Sequence, residues 1–226
     1  MSEHDGRTAE GSPAAGGSEE GYEAERSAEA AAEDLPEEIR EAIPEWDDTY
    51  LDRVSDRLMF NYDLERDRRI RGERWDMYGE MRVLNQKQFF HPALNYADHE
   101  AEEYLFVRRE SRPSVDELRR LVELGHDLAE EWIVADEEHF GTDFTFVLVG
   151  EIPASVAEFV SGFRDRTLLK FGYYGHYDVN LVVVDPERQD IVASEAADVA
   201  EAFTLWKDVT TPDEGLLSRF AKRFWK

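Results

Sequence analysis

Cysteine is absent from the 226-residue chain, which removes disulfide frameworks, thiolate metal centres and cysteine nucleophiles. Lysine is scarce: Lys87, Lys170, Lys207, Lys222 and Lys226 are the only five among 26 basic residues, the other 21 being arginine. Long apolar runs are missing as well. They stop at four residues, as in Phe146-Val147-Leu148-Val149, far short of the roughly 20 that span a bilayer. The start, Met1-Ser2-Glu3-His4-Asp5, lacks the basic opening and apolar stretch of a secretory signal. These absences together predict a cytoplasmic protein without a transmembrane segment.

What is abundant is negative charge. With 52 acidic and 26 basic residues the formal charge is −26. In dilute buffer such a charge opposes the compact state by self-repulsion. At about 1 M salt the Debye length shrinks to about 3 Å and that repulsion is largely screened. A nucleic-acid mimic would gather its carboxylates in phosphate-like rows, whereas here they run along the whole chain. The composition therefore reads as adaptation to molar salt.

Residues 1–34 hold ten acids and two arginines, Gly and Ala tracts, and Tyr22 as their one aromatic. Such a segment buries too little apolar surface to offset chain entropy and is expected to be a disordered acidic tail. Every Trp and Phe lies in 35–226. The expected organisation is a tail over 1–34, one domain over 35–211 and a basic aromatic helix over 212–226.

Within the domain, Asp34, Pro36, Ile39, Ile43 and Pro44 outline a short helix. Leu51, Val54, Leu58 and Tyr62 predict a second over 47–66. Strands are expected at 76–84, 86–91 and 103–109. Ser114 and Glu117 have the spacing of a capping box, opening a helix over 114–134 with a continuous apolar face. A buried strand at 144–149 and a short helix after Pro153 follow. The stretch 168–174, a type II′ turn at Gly175-His176 and a strand over 178–184 read as a hairpin. A turn at 185–188 leads to Ile191-Val192, and Ser194 is expected to cap a helix carrying Val199, Ala202, Phe203 and Trp206. The fold class is α+β, with a mainly antiparallel or mixed sheet and helices packed on one face. A crossover in 143–174 would add one parallel pair.

Nucleotide-binding P-loop and dinucleotide motifs, H-E-x-x-H and G-x-S-x-G are all missing. Two groups remain as candidates for chemistry. Tyr173, Tyr174, His176 and Asp178 fall close together on the hairpin, where phenols beside an imidazole and a carboxylate suit acid–base work; cross-strand packing is the plain alternative. His91, His99 and Asp98 bracket one loop and offer imidazole and carboxylate to a metal such as zinc or iron. Their spacing matches no established ligand pattern, and two exposed loop histidines are the plainer reading. His126 is expected to be a satisfied structural histidine and His139 a solvated linker residue. Arg66, Arg68, Arg69, Arg71 and Arg74 crowd nine residues but are interleaved with Glu65, Asp67 and Glu73, which points to local ion pairing rather than to nucleic acid.

The last eight residues depart most from the rest, with four bases and no acid. Thr211 and Glu214 set a second capping box, and Phe220, Phe224 and Trp225 lie mostly opposite Lys222 and Arg223 on the expected helix. Such a helix suits an anionic membrane surface or a protein partner's groove; docking on its own acidic domain, where its cations also match the helix dipole, is slightly preferred.

The 47–206 block, together with the scarcity of lysine and cysteine, resembles uncharacterised haloarchaeal proteins of unknown function. That resemblance implies no catalytic residue and no cofactor. The sequence as a whole favours a non-enzymatic interaction or regulatory domain. The alternative is a small hydrolase-like or metal-dependent enzyme with a Tyr/His/Asp pocket.

Overall fold

The structure is a computed structural model that describes residues 44–86, 98–137 and 139–207. The tail, the helix expected at 35–43, nearly all of the strand expected at 86–91 and the C-terminal helix lie outside the described residues.

Helix α1 spans Thr49–Leu58, and the Asp48 side chain caps it by accepting from the amides of Tyr50 and Leu51 at 3.0 and 3.2 Å. Leu51, Val54 and Leu58 face inward. The helix ends well before the expected residue 66. Tyr62 shares its spacing because one last turn bond runs from its amide to the Leu58 carbonyl, 2.9 Å. The chain then enters β1, Asp63–Ile70.

Strand β1 pairs antiparallel with β2, Glu73–Gln86, and β2 with β3, Asp98–Arg109. Helix α2, Val115–Trp132, crosses to β4, His139–Val149, which lies parallel to β3. Helix α3, Ala154–Ser161, and β5, Asp165–Leu168, lead to β6, His176–Asp185, parallel to β4. Strand β7, Asp190–Ala193, and a 3-10 segment, Asp198–Phe203, finish the described chain. The spatial order is β1-β2-β3-β4-β6-β5. Strand β7 joins β5 on the same side of β6, β5 along its start and β7 along its end.

The α+β class and the mostly antiparallel sheet agree with the sequence reading. Two features are fuller than it anticipated. Both crossovers close a parallel pair, where one was expected. Helices also cover both faces of the sheet, where one was expected. Helices α2 and α3 press on Trp75, Phe106, Phe144 and Phe146, while α1 and the 3-10 segment cover Met77, Met81, Leu105, Val147 and Val182. The alternation of β4 and β6 separates the two cores, because successive side chains on a strand leave opposite faces. Each fully buried leucine along α2, Leu118 among them, stabilises the fold by about 2 kcal/mol.

Three local expectations are corrected. Ser114 caps α2, accepting from the Glu117 amide at 3.2 Å, but the Glu117 carboxylate turns to Arg108 at 2.6 Å rather than back to the cap. The two-residue turn at Gly175-His176 does not form. His176 already pairs with Leu168, so residues 169–175 make a longer loop. Ser194 caps no helix; it extends the β7 ladder, its amide donating to the Leu181 carbonyl at 2.9 Å and its hydroxyl accepting from the Leu181 amide at 3.1 Å.

Candidate functional site

Strands β5 and β6 form a short ribbon at one side of the sheet. Their register, Asp165↔Val179, Arg166↔Asp178 and Thr167↔Tyr177, sends alternate side chains to opposite faces. Each face carries a polar anchor, and the loop between the strands carries exposed aromatic rings.

On the α2 face, His126 reaches across from the helix. Its Nδ1 lies 2.9 Å from the Tyr177 hydroxyl and its Nε2 3.2 Å from Asp165 Oδ2. A carboxylate only accepts, so Nε2 carries the hydrogen toward Asp165, and in the neutral ring Nδ1 accepts from the phenol. Gly125, the residue before it, makes this reach possible. A Cβ there would stand 2.9 Å from Val179 Cγ2 and 3.2 Å from the Phe146 ring, so only glycine lets α2 approach this closely.

On the opposite face, Asp178 is buried and accepts two hydrogen bonds from Arg166, from Nε at 2.8 Å and Nη2 at 2.7 Å. This two-point geometry is the strong form of an arginine–carboxylate pair. Asp178 also ends a row across the sheet, Glu103↔Asp143↔Asp178, in which all three carboxylates are buried. Thr145 donates to Glu103 at 3.0 Å, and the Tyr62 hydroxyl bonds the same carboxylate. Burial, then the negative charge of Glu103, Asp143 and Asp198, pushes the Tyr62 phenol well above its ordinary value, so it stays a donor.

The loop at the ribbon's tip is held in an unusual backbone. Lys170 (φ 46°, ψ 50°) and Phe171 (φ 59°, ψ 26°) both sit in the left-handed region, which side chains with a Cβ disfavour. Gly175 closes the loop at φ 75°, where a Cβ would fall 2.0 Å from the Phe140 carbonyl oxygen. His139 pins the far side. Its Nδ1 donates to the Tyr174 carbonyl at 2.6 Å, and its Nε2 lies 2.9 Å from the Thr142 hydroxyl. Held this way, Phe171 is 97% exposed, Tyr173 87% and Leu168 60%.

Residues 47–205 match the family described as Domain of unknown function (DUF8052). The chain belongs to that family. No curated protein and no solved structure matches it. The ribbon, both its anchors and its tip fall inside the matched span of the DUF8052 domain.

The sequence candidates are distributed unevenly over this site. Tyr173 faces solvent, Tyr174 contributes its carbonyl to His139, and the His176 ring lies against Phe140 at 6.4 Å between centroids. Asp178, two residues on and on the same face of β6 as His176, pairs with Arg166. Tyr173 stands apart from the other three, while His176 and Asp178 share one face of β6. His126 is the satisfied histidine expected. His139 is a correction: it opens β4 and bonds through both ring nitrogens, because the strand begins earlier than its apolar run suggested. Asp98 and His99 open β3 opposite Gln86 and Asn85, as judged by their backbone register. Their side chains, together with His91 and the C-terminal Phe220, Lys222, Arg223, Phe224 and Trp225, lie outside the described residues. Among the described residues no three His, Asp or Glu side chains are arranged to hold a metal ion, and no helix is long and apolar enough to cross a membrane. In the arginine cluster, Arg66 pairs with Asp47, Arg68 with Glu65, Arg71 with Asp127 and Glu131, and Arg74 with Asp67.

Sequence reasoning passed over Asp165, Arg166 and Asn180, and gave Ser194 only a capping role. A signal for the inner face was present: Asp143-Phe144-Thr145 and Asp178-Val179-Asn180 place polar residues two apart at the start of otherwise apolar strands.

Proposed function

We propose that this DUF8052 domain is a non-enzymatic interaction domain that presents the tip of the β5–β6 ribbon to a protein partner. The observation that carries this reading is the exposure of Phe171, Tyr173 and Leu168 on a loop whose backbone is fixed in the left-handed region at Lys170 and Phe171. Each such residue costs on the order of 1 kcal/mol. A fold that keeps this cost while leaving two aromatic rings in water gains nothing from them internally. Rigid aromatic side chains on a pre-organised loop are the groups that dominate binding energy at interfaces.

Protein is favoured over membrane by charge. A chain of −26 is repelled by a surface of phosphate headgroups, whereas an apolar cleft in a protein tolerates it. The basic segment 219–226, with Phe220, Lys222, Arg223, Phe224 and Trp225, is assigned the same role as a second contact. A hydrolase-like pocket draws no support from Tyr173, which stands in solvent away from the other candidates. Composition further favours a working environment of molar salt.

The test uses the double variant Phe171→Ala, Tyr173→Ala in the full chain, with a photo-crosslinking residue at position 168 in cells that make the protein. The expected result is an unchanged unfolding midpoint together with loss of a discrete crosslinked species. A marked loss of stability would make the loop a structural element and overturn the reading, as would crosslinking that ignores both rings.

A further inference from the structure

The side of β6 that is shared by β5 and β7 is interrupted. Strand β5 covers residues 176–179 and β7 covers 182–185. Between them lies a cavity of about 190 Å³, lined by Phe163, Arg166, Asp178, Asn180, Ser194 and Ala196 among others. That is below the ~300–1,000 Å³ of pockets that take drug-sized ligands, so its occupant is small.

Asn180 supplies the polar handle. The residue is 2% exposed, and its Nδ2 has no hydrogen-bond partner among the described residues. Ser194 decides which end of the amide is open. Its hydroxyl oxygen already accepts from the Leu181 amide, so its own hydrogen goes to Asn180 Oδ1 at 3.4 Å, leaving the NH2 group unused. A buried donor without an acceptor is costly, commonly about 1–3 kcal/mol.

The charges around the cavity narrow the class of ligand. Arg166 is held by Asp178, Arg164 stands 3.6 Å from Glu195, and Asp165 is bound by His126. An added anion would face Asp178, Glu195 and Asp165, with Asp143 next along the row. A neutral group with a carbonyl for Asn180 and N–H donors for the neighbouring carboxylates fits instead, its carbon chain against Phe163 and Ala196. We propose that the gap between β5 and β7 binds a small primary carboxamide. This site is separate from the aromatic tip and stands whether or not the tip binds a partner.

The test titrates the ¹⁵N-labelled full chain with propionamide while following the Asn180 side-chain NH2 and the Ser194 amide. Saturable shifts at both are expected, with sodium propionate at matched ionic strength giving none. Asn180→Ala is expected to weaken binding about tenfold, the loss of one buried hydrogen bond. Ala196→Leu, which narrows the cavity without touching the amide, is expected to weaken it also and decides the matter if the first variant does not fold. Shifts that rise linearly without saturating, equal binding of propionate, or undiminished affinity in Ala196→Leu would overturn the proposal.

Discussion

At the scale of single residues, Asp48 does the most for its size. It caps α1 and also receives Arg109, whose Nε and Nη2 approach at 2.5 and 2.7 Å, while the same guanidinium stacks over Tyr50. The hydrogen bond from Arg109, ahead of the opposing effect of burial, holds the Asp48 carboxyl below its ordinary value of 3.8. A carboxyl whose folded value is depressed stabilises the fold fully above the ordinary value and loses that contribution as pH falls through the folded one. Replacing Asp48 by Ala should cost about 1–2 kcal/mol in urea unfolding at pH 7. Asp48→Asn should retain most of the cap, and its deficit against the wild type should shrink as pH is lowered below 3.8. An equal deficit at both pH values would assign the loss to packing instead. The residue scale is also where sequence reading reached furthest and then stopped. Ser114 was identifiable as a cap from its position before an apolar periodic stretch. That Glu117 prefers Arg108 was not, because Arg108 comes from β3 and only the finished sheet brings it near.

At the scale of elements, α2 is the piece on which the ribbon depends. Its contact with β6 is set by Gly125, and one residue later His126 joins the helix to Asp165 and Tyr177. Gly125→Ala inserts a methyl group into occupied space. It should destabilise by about 1–3 kcal/mol despite alanine's better helix propensity, and in calorimetry the melting temperature should fall. A rise would mean that α2 can move away from the sheet freely. Helix α2 was plain in the sequence because 18 residues of unbroken 3.6-residue periodicity admit few other readings. The segment after Leu58 was not, since Tyr62 keeps helical spacing through a single turn bond while Asp63–Ile70 is claimed by pairing with β2. The hairpin was misplaced for a similar reason. Glycine at 175 does mark a special backbone, but the tyrosines before it belong to a loop whose left-handed residues, Lys170 and Phe171, have no sequence signature. The site as a whole was legible only at its β6 end, where Tyr173 to Asp178 drew notice. Its partners Asp165, Arg166 and His126 lie 12 to 51 residues away from those they touch.

At the scale of the whole molecule, a charge of −26 sets up a long-range repulsion that opposes the compact state in dilute buffer. Many arginines of the described surface sit in ion pairs, yet the chain retains −26. Exposed pairs of this kind contribute little each, typically 0–1 kcal/mol, and do not offset long-range repulsion. Screening does, and it weakens as the Debye length grows from about 3 Å at 1 M to about 10 Å at 0.1 M. The melting temperature should therefore fall as KCl is lowered across that range. Equal values at both ends would show that the surface carboxylates are already neutralised within the fold.

The shared side of β6 has a consequence for how copies of the domain meet. An exposed sheet edge invites a strand from another molecule, and a long flat edge invites a stack of them. Here one margin is split into two strands of four residues each, shorter than the five or six of an average strand. The other margin is β1, whose Asp-Leu-Glu-Arg-Asp-Arg-Arg-Ile run is charged and is bent at Asp67, φ 56°. Among the described residues, neither margin presents the long, flat, apolar edge that most readily takes up a second chain. Crowding of copies should therefore not lead to edge-to-edge growth, so concentrated folded protein is expected to gain no thioflavin signal over days.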